Sequence, residues 1–187
     1  MHTDHPQIEL YITVGSDEQN TAIEHMLNTL NVDLVVQRTL QMADVTQPVM
    51  LTLLITDDDA IRDMNKQYRN QNKPTDVLSF PLLDKPLVNA PADQLWLPQE
   101  GKGQTTTPEP TFVTPPELVT NLGDIVISWP TVVRQASEAD HSPSYELLYL
   151  IAHGVLHLVG YDDQSEAGYQ AMVQMQQAVL QEPGQKA

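Results

Sequence analysis

The chain has 187 residues, of which 41% are hydrophobic and none is cysteine. Its net charge of −16 argues against broad, non-specific binding of nucleic acid, because such binding usually needs a basic face. Without cysteine, disulfides and thiolate metal sites are excluded, any metal must be held by imidazole and carboxylate groups, and a reducing cytoplasm is the expected location. No apolar run approaches the length of a membrane span and the N-terminus lacks a signal-peptide pattern, so we expect no membrane partner.

The first 70 residues predict two strands and two helical regions. Alternating and β-branched residues indicate strands, and apolar stripes at helical spacing indicate helices. On these signals we predict a strand over 7–14, a helix over 17–44 with a break near 31–33, a strand over 49–56 and a helix that Asp57 or Asp58 caps. Ile61, Met64 and Tyr68 are expected on the inner side of that last helix. A favourable interaction with the helix dipole explains the acidic run 57–59 better than a metal site does.

The middle of the chain predicts an edge strand followed by a long insertion. Residues 69–73 are expected to form a polar loop. The strand predicted over 76–83 contains Pro81, which cannot donate to a ladder, so we expect this strand to lie at a sheet edge or to bend there. An edge strand beside an active site could pair with an extended substrate. Residues 84–120 contain half of the fourteen prolines and few apolar residues, which is typical of a loop insertion. Within it, Trp96 and Leu97 are expected either to form an interaction spot or to fold back onto the body.

The last third predicts one strand and three helices. The strand covers LGDIVISW (122–129), and a short helix over 131–139 follows it. Ser142 and Pro143 then start a helix that is apolar on most sides and should be the central buried helix, and a closing helix begins at Ser165. We therefore predict an α+β fold over residues 1–187 as a single domain. Its small mixed sheet of about four strands packs with helices, and the Pro-rich loop is inserted at about 84–120.

Two histidines four residues apart are the most distinctive feature of the central helix. Four residues turn a helix by about 400°, so His153 and His157 leave nearly the same face, within reach of a single metal ion. Gly160 is suited to end the helix, because glycine accepts the left-handed conformation of a helix C-terminus. The chain then turns through Asp162 and Asp163, which brings a carboxylate round to the two rings. Two imidazoles and one carboxylate, with positions left for water, predict a catalytic rather than a structural zinc site.

This segment also resembles a known family. HGVLHLVGYDD is similar to HGxLHxxGYDH, the signature of the YbeY-type rRNA maturation factors, at every fixed position except the last, where Asp163 replaces histidine. MNKQYRNQNKPTDVLSFP resembles the family's N-x-x-Y-R…K-P-T-D-V-L-S-F-P segment, and LGDIVIS resembles its L-G-D-I-x-I strand. These matches cover most of residues 50–83 and 121–165. The N-terminal strand and helix fit the family loosely, and the insertion has no counterpart in its core.

The resemblance implies a metal-dependent, single-strand-specific endoribonuclease that acts in rRNA maturation, including 16S rRNA 3′ end processing, and in ribosome quality control. It implies one zinc ion on His153, His157 and Asp163, with another divalent metal as an alternative. Arg69 and the two histidines would be catalytic, and Arg69 and Lys73 would bind the RNA. The implied partners are single-stranded rRNA and components of the small ribosomal subunit, with no DNA and a cytoplasmic location.

Asp163 leaves several alternatives open. A carboxylate can bind zinc, but it is shorter than histidine, and its negative charge should make the metal a weaker Lewis acid and favour other divalent ions. Asp162 or a water molecule is an alternative ligand, and the metal site could also be weakened or lost. One rival interpretation is therefore a ribosome-associated, metal-stabilised assembly factor without nuclease activity. A second is a metallohydrolase with another substrate, although Gly154 stands where zinc peptidases carry their glutamate base.

Several further residues have two explanations each. His141 could contribute to the site, but a surface loop histidine is the simpler interpretation, and Lys73 could be a solvated loop charge. Single-stranded RNA is often recognised by stacked aromatic side chains. Phe80, Tyr68 and Tyr161 lie near the predicted site, although core packing explains each of them at least as well.

Overall fold

The computed structural model describes residues 5–98 and 119–180, which form a four-stranded sheet packed with six α-helices. In chain order these elements are β1 Gln7–Thr13, α1 Asp17–Leu30, α2 Val32–Met42, β2 Val49–Thr56, α3 Asp58–Arg69, β3 Val77–Pro81, β4 Thr120–Ser128, α4 Trp129–Glu138, α5 Pro143–Val159 and α6 Glu166–Leu180. The predicted α+β class and the predicted mixed sheet of four strands are confirmed. None of the helices described is long and apolar enough to cross a membrane.

The sheet has the order β1-β2-β4-β3. The first three of these strands run parallel, whereas β3 is antiparallel to β4 and lies at the edge. Pro81 is the last residue of β3, where its missing backbone N–H does not interrupt the ladder. The predicted edge strand is therefore confirmed, and all five of its residues line the cleft that holds the candidate site.

The two faces of the sheet are covered unequally. On one face, alternate residues of β2 such as Leu51 and Leu53 are 1% exposed and pack with α1, α2 and α5 in the main core. On the other face, α3 packs through Ile61 against Val126 of β4 in a smaller cluster. The β1 end of this second face stays open, because Tyr11 is 54% exposed.

Local sequence sets the ends of the helices. Asn31 adopts a left-handed backbone with φ 57° and separates α1 from α2, at the predicted break. Asp57 caps α3 by accepting a 2.8 Å hydrogen bond from the backbone N–H three residues later. Ser142 caps α5 in the same way at 3.1 Å, and Pro143 occupies the first helical position. These predicted caps are confirmed.

α5 is the central helix and is buried on most sides, as predicted. At Gly154, a Cβ would lie 2.8 Å from the Ile125 side chain of β4, closer than real side chains approach. Glycine therefore allows α5 to lie directly against the sheet at this point. Close packing accounts for Gly154 without a role in chemistry.

One predicted packing position is wrong. The sequence places Tyr68 on the inner side of α3, but its side chain is 63% exposed. Tyr68 lies in the last turn of α3, beyond the cluster around Ile61, and contacts the edge of the sheet. There it meets Phe80 of β3 in a T-shaped contact with ring centroids 5.0 Å apart.

The predicted insertion lies partly within the described residues. Residues 84–98 fold back onto the body through backbone hydrogen bonds, among them Leu87 N to Val159 O at 2.9 Å. A short 3₁₀ turn at Ala92–Gln94 interrupts this segment. The remainder of the insertion, residues 99–118, lies outside the described residues.

Candidate metal centre and active site

α5 presents two histidine side chains on one face. The rings of His153 and His157 have centroids 4.5 Å apart and planes inclined by 78°. Their Nε2 atoms lie 3.0 Å apart. The two side chains are 19% and 20% exposed, so a largely buried helix projects both rings to the surface of the protein.

A tight turn brings a carboxylate to the two rings. Gly160 ends α5 with φ 137°, and a Cβ at this position would lie 2.5 Å from Pro86, so both the backbone and the packing require glycine. The chain then reverses, and Asp163 Oδ2 lies 3.6 Å from His153 Nε2 and 3.8 Å from His157 Nε2. The structure thus brings together the three residues that the sequence singles out as ligands, with all three ligand atoms within 4.8 Å of one another.

Hydrogen bonds to the far ring nitrogens fix both imidazoles. His157 Nδ1 lies 2.9 Å from the backbone oxygen of Tyr161, which can only accept, so Nδ1 carries the proton. His153 Nδ1 lies 3.3 Å from Gln176 Oε1, and this amide is oriented because its Nε2 donates to the backbone oxygen of Tyr149 at 3.1 Å. Both Nδ1 atoms are therefore donors, and the two Nε2 atoms are left as acceptors.

Two imidazole lone pairs and one carboxylate therefore converge on one point. Three atoms with lone pairs this close together repel one another unless a cation, either a proton or a metal ion, lies between them. A tetrahedral ion bound at about 2.0–2.2 Å places its ligand atoms roughly 3.3–3.6 Å apart. The separations of 3.0, 3.6 and 3.8 Å lie around this range. The three residues thus fit one divalent cation and leave a further coordination position for water.

The protonation states of the site also suit metal binding. Burial lowers the pKa of His153, and the neighbouring His157 lowers it further. The imidazole of His157 beside Asp163 holds the pKa of that carboxyl at about 2, against the opposing effect of burial. A neutral imidazole and an ionised carboxylate are the forms that bind metal ions.

The three candidate ligands open into a cleft of about 690 Å³, whose other walls are β3 and the end of α3. Arg69, in the last turn of α3, lines this cleft and is exposed. It forms no salt bridge with any residue that the structure describes, so its guanidinium is available to bind an anion. Lys73 is exposed in the following loop and is not among the residues that line the cleft.

The chain is similar to known proteins over most of its length. The family model for endoribonuclease YbeY matches residues 14–184. The chain belongs to this family. Endoribonuclease YbeY of Roseiflexus sp. (strain RS-1) is 42% identical over 131 residues, which cover 70% of this chain and 68% of that protein. Endoribonuclease YbeY of Moorella thermoacetica (strain ATCC 39073 / JCM 9320) is 40% identical over 163 residues, covering 84% and 86% respectively.

The solution structure of TM1509 from Thermotoga maritima is 20% identical to this chain with a TM-score of 0.48, covering 96% of this chain and 100% of that one. YbeY endoribonucleases are hydrolases that act on RNA phosphodiester bonds, and the family is one of metalloenzymes. The cluster of His153, His157 and Asp163 is a possible metal site of this YbeY-family protein.

Other residues singled out by the sequence lie apart from the three ligands. Asp162 lines the cleft, but its carboxylate accepts a hydrogen bond from Gln164 N at 3.4 Å and is not part of the ligand cluster. His141 lies 2.6 Å from Glu146 Oε2 and is likewise outside the cluster. Tyr161 is 8% exposed and belongs to the main core, which leaves its side chain no surface for RNA.

The acidic start of α3 connects this helix to the end of β4 and to α4. Asp58 accepts hydrogen bonds from Ser128 at 2.6 Å and Thr131 at 2.7 Å, and it pairs with Arg134 at 2.9 Å. Burial of the carboxyl acts to raise the pKa of Asp58, but the hydrogen bonds from these three residues outweigh it and lower that pKa. These contacts explain the acidic run without a metal ion.

Gln176 is a residue of the YbeY-family site that sequence reasoning missed. It lies 23 positions after His153, on α6, and is 1% exposed. The sequence does contain a signal, because Gln176 stands in the apolar stripe of α6 between Met172 and Val179, both buried. A polar side chain on an apolar helical stripe needs a hydrogen-bond partner, and here the partner is a candidate metal ligand.

Trp96 is the second missed contributor. Its indole N–H donates to the backbone oxygen of His157 at 2.7 Å, and its backbone N–H donates to the oxygen of Gly160 at 2.9 Å. Asp162 N in turn donates to the oxygen of Gln94 at 3.0 Å. Of the two expectations for this part of the insertion, folding back is observed for Trp96, whereas the Leu97 side chain is 84% exposed. The segment holds the turn that carries the third candidate ligand.

Proposed function

We propose that this protein is a metal-dependent endoribonuclease that cleaves single-stranded RNA in rRNA maturation. The observation that carries the proposal is the convergence of His153, His157 and Asp163 in a cleft that Arg69 also lines. Membership of the YbeY family supports the reaction class. We propose zinc as the metal, since two imidazoles, one carboxylate and an open position are typical of catalytic zinc sites.

The chain's own residues have separate tasks around the scissile phosphodiester. When bound, the divalent cation would polarise the phosphate and lower the pKa of a water molecule. His153 and His157 would hold the cation through Nε2, and Asp163 would complete the set. Arg69 would oppose the negative charge that develops on the phosphoryl oxygens, because a guanidinium can bind two oxygens at once. Lys73, in the exposed loop after Arg69, would contact the RNA backbone further along the strand.

The biological setting is a proposal that rests on the family. We propose that the substrate is rRNA, that the reaction includes processing of the 16S rRNA 3′ end, and that the protein also acts in ribosome quality control. With a net charge of −16, its own electrostatic attraction for RNA is weak, so components of the small ribosomal subunit would deliver the substrate. A cysteine-free chain suits the cytoplasm, where these partners are found.

A comparison of two neighbouring carboxylates tests the metal site. Asp163→Ala should lose the metal ion and the cleavage of a labelled single-stranded RNA. Asp162→Ala should keep its metal and is the matched control, because Asp162 lies outside the ligand cluster. Metal content and cleavage are measured on the same preparations, with a duplex RNA as a second control. If wild type binds no metal, or if Asp162→Ala loses it instead, the ligand assignment is wrong.

The alternative function is a metal-stabilised assembly factor that associates with ribosomal subunits without cleaving RNA. Asp163 favours it, because a carboxylate at the third position lowers the net charge of the site and makes the metal a weaker Lewis acid. Arg69→Ala separates the two functions. An endoribonuclease loses cleavage but retains its metal and its association with small subunits. Absence of cleavage by wild type, together with normal subunit association, would establish the assembly factor.

A further inference from the structure

The sheet face opposite the main core carries a groove that the proposed chemistry does not use. The groove has a volume of about 690 Å³ and crosses all four strands. Its floor is apolar, with Phe80 from β3, Val126 from β4 and Leu54 from β2. Tyr68 of α3 lies at one end and Tyr11 of β1 at the other.

Two tyrosine rings in this groove are exposed. Tyr68 is 63% exposed and Tyr11 is 54% exposed, so core packing does not account for either side chain. The ring of Tyr68 is held by a T-shaped contact with Phe80, with 5.0 Å between centroids and 64° between planes. A flat, supported and exposed aromatic ring offers a stacking surface for another planar group.

The groove is continuous with the active-site cleft. Tyr68 and Phe80 line both cavities, and Arg69, which lines the cleft, is the next residue after Tyr68. An RNA strand with one phosphate between Arg69 and the metal ligands would therefore bring its adjoining nucleotide to the Tyr68 side chain. The strand would reach the groove around the free edge of β3.

The chemistry of the groove suits nucleobases better than phosphates. None of its lining residues is lysine or arginine, and its lining includes the uncharged polar side chains of Thr13, Thr52 and Gln67. The carboxylate of Asp124, which the strand register places between Thr52 and Phe80 on this face, would repel phosphate but can accept hydrogen bonds from base N–H groups. Base stacking on aromatic side chains does not depend on a strongly basic surface, which suits a chain with a net charge of −16.

We propose that this groove is a nucleobase-binding subsite for single-stranded RNA, in which Tyr68 stacks on the base beside the scissile phosphate and Tyr11 on a base further along the strand. The proposal rests on the proposed function, because it uses the same substrate strand. It assigns the groove to RNA, and a protein partner is the competing occupant.

Single-turnover cleavage tests the subsite by pairing changes in the protein with changes in the RNA. The half-saturating protein concentration is measured for wild type, Tyr68→Ala and Tyr68→Phe on a defined single-stranded RNA. Tyr68→Ala should raise this concentration roughly tenfold, and Tyr68→Phe, which keeps the stacking ring, should stay within about twofold of wild type. Tyr169→Ala is the matched control, because Tyr169 is 49% exposed on α6 and lies outside both cavities.

Abasic substitutions in the RNA complete a double-mutant cycle with Tyr68→Ala. An abasic position beside the cleaved bond should raise the half-saturating concentration of wild type by a similar factor. In Tyr68→Ala the same abasic position should have no further effect, since the stack is already lost. If every abasic position raises the half-saturating concentration of Tyr68→Ala by as much as that of wild type, Tyr68 does not contact a base. This result would overturn the proposal.

The other outcomes are equally decisive. If wild type cleaves the RNA and Tyr68→Ala matches it at every protein concentration, Tyr68 does not bind the RNA and the proposal is overturned. If wild type neither binds nor cleaves single-stranded RNA, the proposed function itself fails, and the subsite fails with it. The wild-type measurement alone distinguishes these two failures.

Discussion

The hydrogen bonds behind the two histidines should control metal affinity, and Gln176 allows a direct test. Gln176 is 1% exposed and accepts from His153 Nδ1 at 3.3 Å, while its own amide is held by the Tyr149 backbone oxygen. Gln176→Leu keeps a side chain of similar size but leaves the Nδ1–H of His153 buried without an acceptor. This costs about 1–3 kcal/mol of folding free energy. It also frees the ring to place its proton on Nε2, the tautomer that cannot bind the metal.

Loss of such a hydrogen bond usually weakens metal binding by about 10–100-fold, or roughly 1.4–2.8 kcal/mol. We expect this loss for Gln176→Leu. Gln176→Glu keeps an acceptor for His153 but loses the N–H donor to the Tyr149 oxygen, so it should bind metal more tightly than Gln176→Leu and more weakly than wild type. Gln177→Leu, on the exposed side of the same helix, should bind metal as tightly as wild type. The assay is competition with a chromophoric chelator, accompanied by denaturant unfolding of the metal-free proteins.

Two results would refute this reasoning. If Gln176→Leu is less stable but binds metal as tightly as wild type, the residue supports packing alone and the tautomer of His153 does not depend on it. If Gln176→Leu and Gln176→Glu lose affinity equally, an acceptor at this position is not what matters. In either case the orientation of the His153 ring must come from other contacts of α5.

Three further outcomes follow from the structure. Gly154→Ala should lower the free energy of unfolding, measured by urea denaturation, by up to about 2 kcal/mol. Overpacking against Ile125 costs about 1–3 kcal/mol, whereas alanine gains roughly 1 kcal/mol in helix propensity. Unchanged stability would show that α5 can move off the sheet. The metal-free protein should lose stability as the pH falls below about 6.5, since burial lowers the pKa of His153 in the folded state and the unfolded chain takes up the proton more readily. Denaturant midpoints measured at several pH values around 6.5 test this expected loss of stability, and a midpoint that does not change with pH contradicts it. Trp96→Phe removes the indole hydrogen bond to His157 and should cost about 1 kcal/mol; a thermal scan that matches wild type would mean that the fold-back segment holds the turn without it.

Most of the fold could be predicted because its signals are local. The break at Asn31 and the caps at Asp57 and Ser142 each involve residues within one helical turn, so the sequence carries the whole interaction. The edge position of β3 follows from Pro81 alone. The order of the strands has no such signal, since it depends on which strands bury their apolar faces together.

The candidate site also combines residues that local sequence predicts with residues that only the tertiary structure shows. His153, His157 and Asp163 fall within eleven residues, and helix geometry together with one glycine turn was enough to predict that they meet. Gln176 and Trp96 come from segments 23 and 61 residues away from the histidines they contact. No periodicity links these positions, and only tertiary packing brings them to the rings.

The wrong prediction for Tyr68 has a different cause. Its spacing from Ile61 and Met64 does place it toward the sheet, and both of those residues pack in the smaller cluster. Periodicity identifies the face of a helix, but it does not show where the opposing surface ends. The last turn of α3 meets only the edge strand β3, through the contact of Tyr68 with Phe80, and this leaves most of the Tyr68 ring and the Arg69 side chain exposed. The exposed Tyr68 is thus the neighbour of Arg69, the residue that we propose binds the phosphate of the substrate strand.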